Sequence, residues 1–186
     1  MTVVFLDRDG VINENRMDYV KSWHEFHFLP GACEAIALLT SAGHQVVICT
    51  NQAGIATGSL TIELVEAIHR RMLCAIVQAG GRVAGVYYCP HSKQAGCTCR
   101  KPGPGLLLRA SQELQLDLQG AVFVGDGLTD IQAALAAGVT PILVLTGRGK
   151  EQLRLAADVI TTPFLVVEDL SAAAKIIMQG GICVNC

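Results

Sequence analysis

Two aspartates one residue apart, Asp7 and Asp9, stand directly after the apolar run Val3–Leu6 and directly before Gly10. Residues two apart in extended chain point the same way, so both carboxylates can face one pocket. Carboxylates held close repel each other. A cation relieves the repulsion, and hard oxygen ligands favour magnesium. A carboxylate can also attack phosphorus and form an acyl phosphate, while a second one protonates the leaving alcohol and then deprotonates water. Taken alone, the pair reads equally well as surface acids at a strand end. Other polar residues at strand ends shift that balance. Thr50 and the amides beside it can bind phosphate oxygens, and Lys101, next to Arg100, can offset transition-state charge. Asp126 and Asp130 follow Gly125, where a tight turn presents them. Each also has a plainer role: Thr50-Asn51 as a turn cap, Lys101 as an exposed base, Asp130 as a helix cap or a holder of Lys101.

A second constellation lies between these groups. Cys89, His91, Cys97 and Cys99 fall within one short stretch, out of eight cysteines in the chain. Three thiolates and one imidazole suit tetrahedral zinc closed to solvent, a structural rather than a catalytic site. The alternative is a set of reduced thiols beside a surface histidine. Because Arg100-Lys101 follows Cys99 at once, a metal in this loop, 89–99, would fix the phosphate-binding lysine. Cys33, Cys49 and Cys74 sit in apolar periodic segments and read as small buried hydrophobes. Cys183 and Cys186 form a C-x-x-C in what reads as a terminal tail, 180–186.

The elements that must position these groups alternate along the chain. Short β-branched runs at 3–6, 46–49, 83–88, 121–124 and 141–145 read as strands. Helical patterns fill 34–41, 61–78, 104–115, 129–137, 150–156 and 168–178, with Thr61 as an N-cap and Gly80-Gly81 as a stop. Such alternation predicts an α/β fold, a three-layer, Rossmann-like parallel sheet with helices on both faces. Ligands bind beyond the carboxyl ends of such strands, where the polar residues above converge. The 186 residues suffice for one domain, 1–186, and no repeat or linker divides them. Hydrophobic residues make up 51% and charged ones 16%, yet no apolar run approaches the roughly 18 residues of a membrane helix. No secretory signal pattern opens the chain, so the expected location is the cytoplasm and no membrane partner is expected. A net charge of −2, without a long basic run, argues against nucleic acid. The oligomeric state is left as a monomer or small homo-oligomer.

The D-x-D-G of Asp7 to Gly10, Thr50-Asn51, Lys101 before Pro102 and the G-D-x-x-x-D from Gly125 to Asp130 resemble the haloacid dehalogenase superfamily of phosphatases. The resemblance implies that Asp7 is the nucleophile and Asp9 the general acid/base. It implies that magnesium is held by Asp7, Asp126 and the carbonyl of Asp9, and that Thr50 and Lys101 hold the transferring phosphoryl group, with Asp130 in support. The spacings leave no room for the inserted cap domain common in the superfamily, so a capless member is expected.

The C-x-H…C-x-C loop ending in Arg100-Lys101-Pro102 narrows the likeness. It resembles that of the D-glycero-D-manno-heptose 1,7-bisphosphate phosphatases and the related histidinol-phosphate phosphatases. The heptose group matches better around Asp7–Asn13, Thr50–Ala56 and Tyr87–His91. It implies a small phosphorylated sugar as substrate. Arg100, stretch 15–19 with Tyr19, and Asn51, Gln52 and Ala53 would lie beside it. Two features depart from the pattern. Only five residues separate His91 from Cys97, as in the histidinol-phosphate type, and Gly127 stands where a basic residue is usual. Two further readings stay open: a catalytically silent, zinc-stabilised binding module, and a nucleic-acid end phosphatase, against which the scarcity of aromatic residues weighs.

Overall fold

The β-branched runs form strands β1 (Val3–Leu6), β2 (Gln45–Asn51), β3 (Gly85–Cys89), β4 (Val122–Gly125), β5 (Thr140–Val144) and β6 (Leu165–Val167) in the computed structural model, which describes residues 2–180. They join in one parallel sheet in the order β3-β2-β1-β4-β5-β6. The helices between them are α1 (Ala32–Ser41), α2 (Ile62–Gln78), α3 (Gly105–Leu114), α4 (Leu128–Ala136), α5 (Gly149–Val159) and α6 (Leu170–Met178). As expected, Thr61 caps α2, its side chain accepting from Leu64 N at 3.2 Å.

Strand alternation sorts the core into two layers. Val4, Leu6, Ile48, Val124 and Ile142 face α1, α2 and α6, while Val3, Phe5, Val47, Cys49 and Phe123 face α3 and α4. With both faces covered, the strands read as continuous apolar runs, which is why they stand out in the sequence. The sixth strand does not. Leu165–Val167 is apolar but has only three residues, sits at the sheet edge and leaves Val166 exposed, so it is too short to display a strand pattern. Two cysteine expectations need correcting. Cys74 is exposed on α2 and Cys33 is only half-buried, since helical spacing turns both partly away from the core; Cys49 is buried as expected. Cys183, Cys186 and most of the tail lie outside the described residues.

Chain order reverses at β1. From there β2 and β3 build outward on one side, and β4, β5 and β6 on the other. The carboxyl ends of β1 and β4 therefore bound the crevice at the switch point. Two long connections reach over that end. Segment 7–31 is anchored by stacked Trp23 and Phe26, ring centroids 5.0 Å apart, with Phe28 edge-on to Phe26. Segment 90–104 carries the thiol cluster. Among the described residues no helix is long and apolar enough to cross a membrane.

Candidate active site

Asp7 continues β1 by one residue, and its main-chain N–H donates to Val124 O at 2.9 Å, which sets it beside Gly125 and Asp126 at the end of β4. Carboxylate oxygens of Asp7, Asp126 and Asp130 lie within 4.8 Å of one another. All three side chains are buried. Burial, then the neighbouring carboxylates, push Asp7 up to about 6 against the pull of Lys101, and burial also raises Asp126 and Asp130. Two glycines make this crowding feasible. Gly10 and Gly147 both have positive φ, and a Cβ on either would collide with Asp126 Oδ2.

Lys101 arrives from the other side. Its ammonium is 3.0 Å from Asp7 Oδ1 and 2.6 Å from Asp130 Oδ1, and donates to Cys49 O at 2.9 Å. Three donors meet three acceptors, so the group is saturated and directional. Despite burial, the two carboxylates raise its pKa, so it stays charged. Asp130 performs both plain roles raised above: it holds Lys101, and its Oδ2 accepts Gly127 N at 2.9 Å at the start of α4. Asn51 ties down the chain around Lys101, donating to its carbonyl at 3.1 Å and accepting its N–H at 3.2 Å.

Asp9 has a different environment. Arg8 Nη2 lies 2.9 Å from both of its oxygens, and Asn13 and Gln52 amides each donate at 2.9 Å. Burial opposes ionisation, but Arg8 with the two amides outweighs it and holds Asp9 below the usual carboxylate range. Arg8 is itself buried, its guanidinium taken up by this ion pair. Its Nη1 meets His69 Nε2 at 3.1 Å. A guanidinium only donates, so His69 accepts. Burial first, then the Arg8 charge, push His69 down to about 3, leaving it neutral.

The thiol cluster forms as the spacing suggests. Cys99 Sγ lies 3.3 Å from Cys89 Sγ and 3.6 Å from Cys97 Sγ, and His91 Nδ1 lies 3.3 Å from Cys99 Sγ and 3.5 Å from Cys89 Sγ. Zinc–sulfur bonds of about 2.3 Å give tetrahedral edges of roughly 3.7 Å, so these separations fit one ion. Electrostatics agree. Burial and then the neighbouring thiols push Cys99 up to about 12, whereas Cys97, despite burial, is brought to about 7, chiefly by the Arg100 main-chain N–H. Three thiolates this close would repel one another, so the cluster could hold a cation.

A cleft of about 1110 Å³ brings nearly all these elements together. Asp7, Asp9, Thr50, Asn51, Gln52, Ala53 and Lys101 form its floor; Tyr19, at φ 67°, stands on one wall and Arg100 on another. Thr50 Oγ1 accepts from Gln52 Nε2 at 3.1 Å. One expectation changes: Gln52 N already donates to Cys89 O at 2.8 Å, so that amide is engaged within the scaffold rather than free for a ligand. Three participants did not stand out in the sequence: Asn13, His69 and Arg148. Arg148 donates from its main chain to Asp126 Oδ2 at 2.8 Å and from Nη2 to Oδ1 at 3.3 Å. The Thr146-Gly147 turn after β5 was the available signal for it; His69 looks like any core position of an amphipathic helix.

Comparison with known proteins gives a consistent picture. A HAD-hydrolase-like family model matches residues 98–173. The chain is 42% identical over 175 residues to a D-glycero-beta-D-manno-heptose-1,7-bisphosphate 7-phosphatase of Pseudomonas putida, covering 94% of this chain and 98% of that one. The structure of the D,D-heptose 1,7-bisphosphate phosphatase of Bordetella bronchiseptica, complexed with magnesium and phosphate, superposes with a TM-score of 0.91 at 43% identity, covering 97% of this chain and 99% of that one. The corresponding enzyme of Burkholderia thailandensis gives a TM-score of 0.74 at 36% identity, with 96% and 99% covered.

Proposed function

The chain belongs to the heptose 1,7-bisphosphate 7-phosphatase family of haloacid dehalogenase-like hydrolases, and from that membership we propose that it removes the 7-phosphate of D-glycero-D-manno-heptose 1,7-bisphosphate. The observation that carries this reading is the buried line Asp126–Asp7–Lys101–Asp130 at the switch point of the sheet. Asp7 attacks phosphorus, the ester bond breaks and an aspartyl phosphate forms. Thr50 and the Ala53 amide receive phosphoryl oxygens, and Lys101, still held by Asp130 and Cys49 O, turns the N–H it gives Asp7 toward them as Asp7 attacks. Asp9 gives a proton to the leaving hydroxyl and then takes one from water. Held ionised by Arg8, it is poised for the second half of that cycle, and the arriving phosphate dianion raises its proton affinity for the first.

Asp7, Asp126 and the Asp9 carbonyl would hold magnesium, which screens the charge between carboxylate and phosphate. The raised pKa values of Asp7 and Asp126 fit that cation, while Asp130 is committed to Lys101. Cys89, His91, Cys97 and Cys99 would hold zinc with no open position, so its role is to fix the loop carrying Arg100 and Lys101. Free thiols ready for a metal suit the reducing cytoplasm, and the acidic balance fits a small sugar phosphate better than nucleic acid. Histidinol phosphate is the second candidate, favoured by the short five-residue span between His91 and Cys97.

The test is a specificity-constant panel of both heptose bisphosphate anomers, histidinol phosphate and fructose bisphosphate, with the released phosphate located by phosphorus NMR. We expect a heptose bisphosphate to lead by at least tenfold, with the 7-phosphate lost. Equal or better turnover of histidinol phosphate would move the assignment to the second candidate.

A further inference from the structure

Gly127 has extended backbone angles, φ −129° and ψ 151°, that any residue adopts, so its missing side chain answers no conformational need. The space is taken by Arg148: a Cβ on Gly127 would lie 3.2 Å from Arg148 Nη2. The Arg148 side chain is 47% exposed and lines the cleft beside Thr129. Of its five N–H donors, one meets Asp126. The main-chain N–H already secures Asp126 Oδ2, so the guanidinium is not required to hold that carboxylate.

Charge bookkeeping points to a use for it. The site gathers four acids, Asp7, Asp9, Asp126 and Asp130, against two buried cations, Arg8 and Lys101, a formal excess of two negative charges. A divalent cation cancels this, and a phosphate dianion restores it. Arg8 has its donors engaged with Asp9 and His69, and Lys101, held by Asp130 and Cys49 O, serves the phosphoryl group from the Asp130 side. Arg16 pairs with Asp18 and Glu25, and Arg100 Nη1 donates to His91 O on the thiol-loop wall. Arg148 is the cation on the Asp126 side: it lines the cleft, is half-exposed and gives one side-chain hydrogen bond among the described residues.

We propose that Arg148 binds an oxygen of the phosphoryl group positioned at Asp7, working from the space that Gly127 leaves open. This rests on the phosphatase reading above and adds a residue that chooses and holds the ligand. A half-exposed, charge-assisted hydrogen bond of this kind is worth on the order of tenfold in affinity.

Inorganic phosphate is the probe, titrated by calorimetry and as a competitive inhibitor at saturating magnesium, with magnesium binding alone measured in parallel. Arg148→Ala should weaken phosphate about tenfold, move magnesium affinity by less than about threefold, and unfold at the parent temperature. Gly127→Lys in the Arg148→Ala background should recover most of the loss, because the new cation enters the vacated space. A phosphate affinity within twofold of the parent, a defect that disappears when magnesium is raised, or a double variant no better than Arg148→Ala overturns the proposal. If the parent itself neither binds phosphate nor hydrolyses any phosphate ester with magnesium, the function assignment is what has failed.

Discussion

The carboxylate floor and the thiol loop lie at the same end of the sheet and are built in opposite ways. Asp7, Asp126 and Asp130 extend or follow strands β1 and β4, and each carboxylate is met by a donor, from Lys101, Arg148 N and Gly127 N respectively. The thiol loop between β3 and α3 has no regular structure beyond a 3-10 turn at Lys93–Ala95. Its four sulfur and nitrogen atoms gather within 4.8 Å of one another. The floor gets its rigidity from the sheet, so it can spend charge repulsion on chemistry. The loop has no such frame, and the function proposed above gives its cohesion to a metal. They meet at Cys99-Arg100-Lys101, where a structural ion would position a residue of the floor.

The sharpest break in this comparison is Asp7→Asn. It should lower turnover by at least about 10⁴-fold, since the attacking oxygen is lost, yet leave the melting temperature equal or higher. The sign follows from the pKa. Asp7 is raised from 3.8 to about 6 in the fold, so its ionisation costs stability as pH climbs through that window, and a neutral isostere escapes the cost at pH 7. A fall of several degrees would place Asp7 among the structural groups instead.

Cys97→Ser should do the reverse. Zinc content should fall and the loop loosen, with about a hundredfold loss of rate from misplaced Lys101, while far-ultraviolet circular dichroism keeps the sheet signal. Zinc analysis of protein purified without added metal, together with the kinetics of the variant, decides it. Full activity in a zinc-free parent contradicts the role given to the loop.

Asp9→Asn should separate substrates: at least tenfold more loss on an alkyl phosphate than on an activated aryl phosphate, because protonating the poorer leaving group matters more. Equal losses would contradict the acid role.

The smallest effect is a pH dependence confined to the floor. Protons and magnesium compete for Asp7 and Asp126, both raised, so magnesium should bind up to about tenfold tighter per pH unit up to about 6 and level off above. Calorimetry from pH 5 to 8 reads it, and a flat profile would contradict the raised carboxylates.

The floor was legible in the sequence because buried parallel strands leave continuous apolar runs, and the acids that end them are conspicuous. The thiol cluster was legible because cysteine and histidine at short spacing are few and specific. Less visible were groups whose role depends on contacts between distant segments. His69, on α2, supports Arg8 from 61 residues away, and Arg148 reaches Asp126 across 22. The Gln52 amide looked free until β3 placed Cys89 O against it. β6 escaped because three edge residues cannot display a period. Cys74 is exposed against expectation because an apolar neighbourhood in sequence does not say which face of a helix a residue occupies.

The central claim is that Asp7 carries the phosphoryl group while magnesium serves the chemistry and zinc the loop. It is tested most directly by acid-quenching the magnesium-loaded enzyme during turnover of the heptose bisphosphate and mapping the modified peptide by mass spectrometry. The account predicts one acid-stable, base-labile phosphoryl group on the peptide containing Asp7, absent in Asp7→Asn and absent when magnesium is chelated with zinc retained. Turnover with no phosphoryl group on that peptide at any quench time, or with labelling that follows zinc and ignores magnesium, would contradict it.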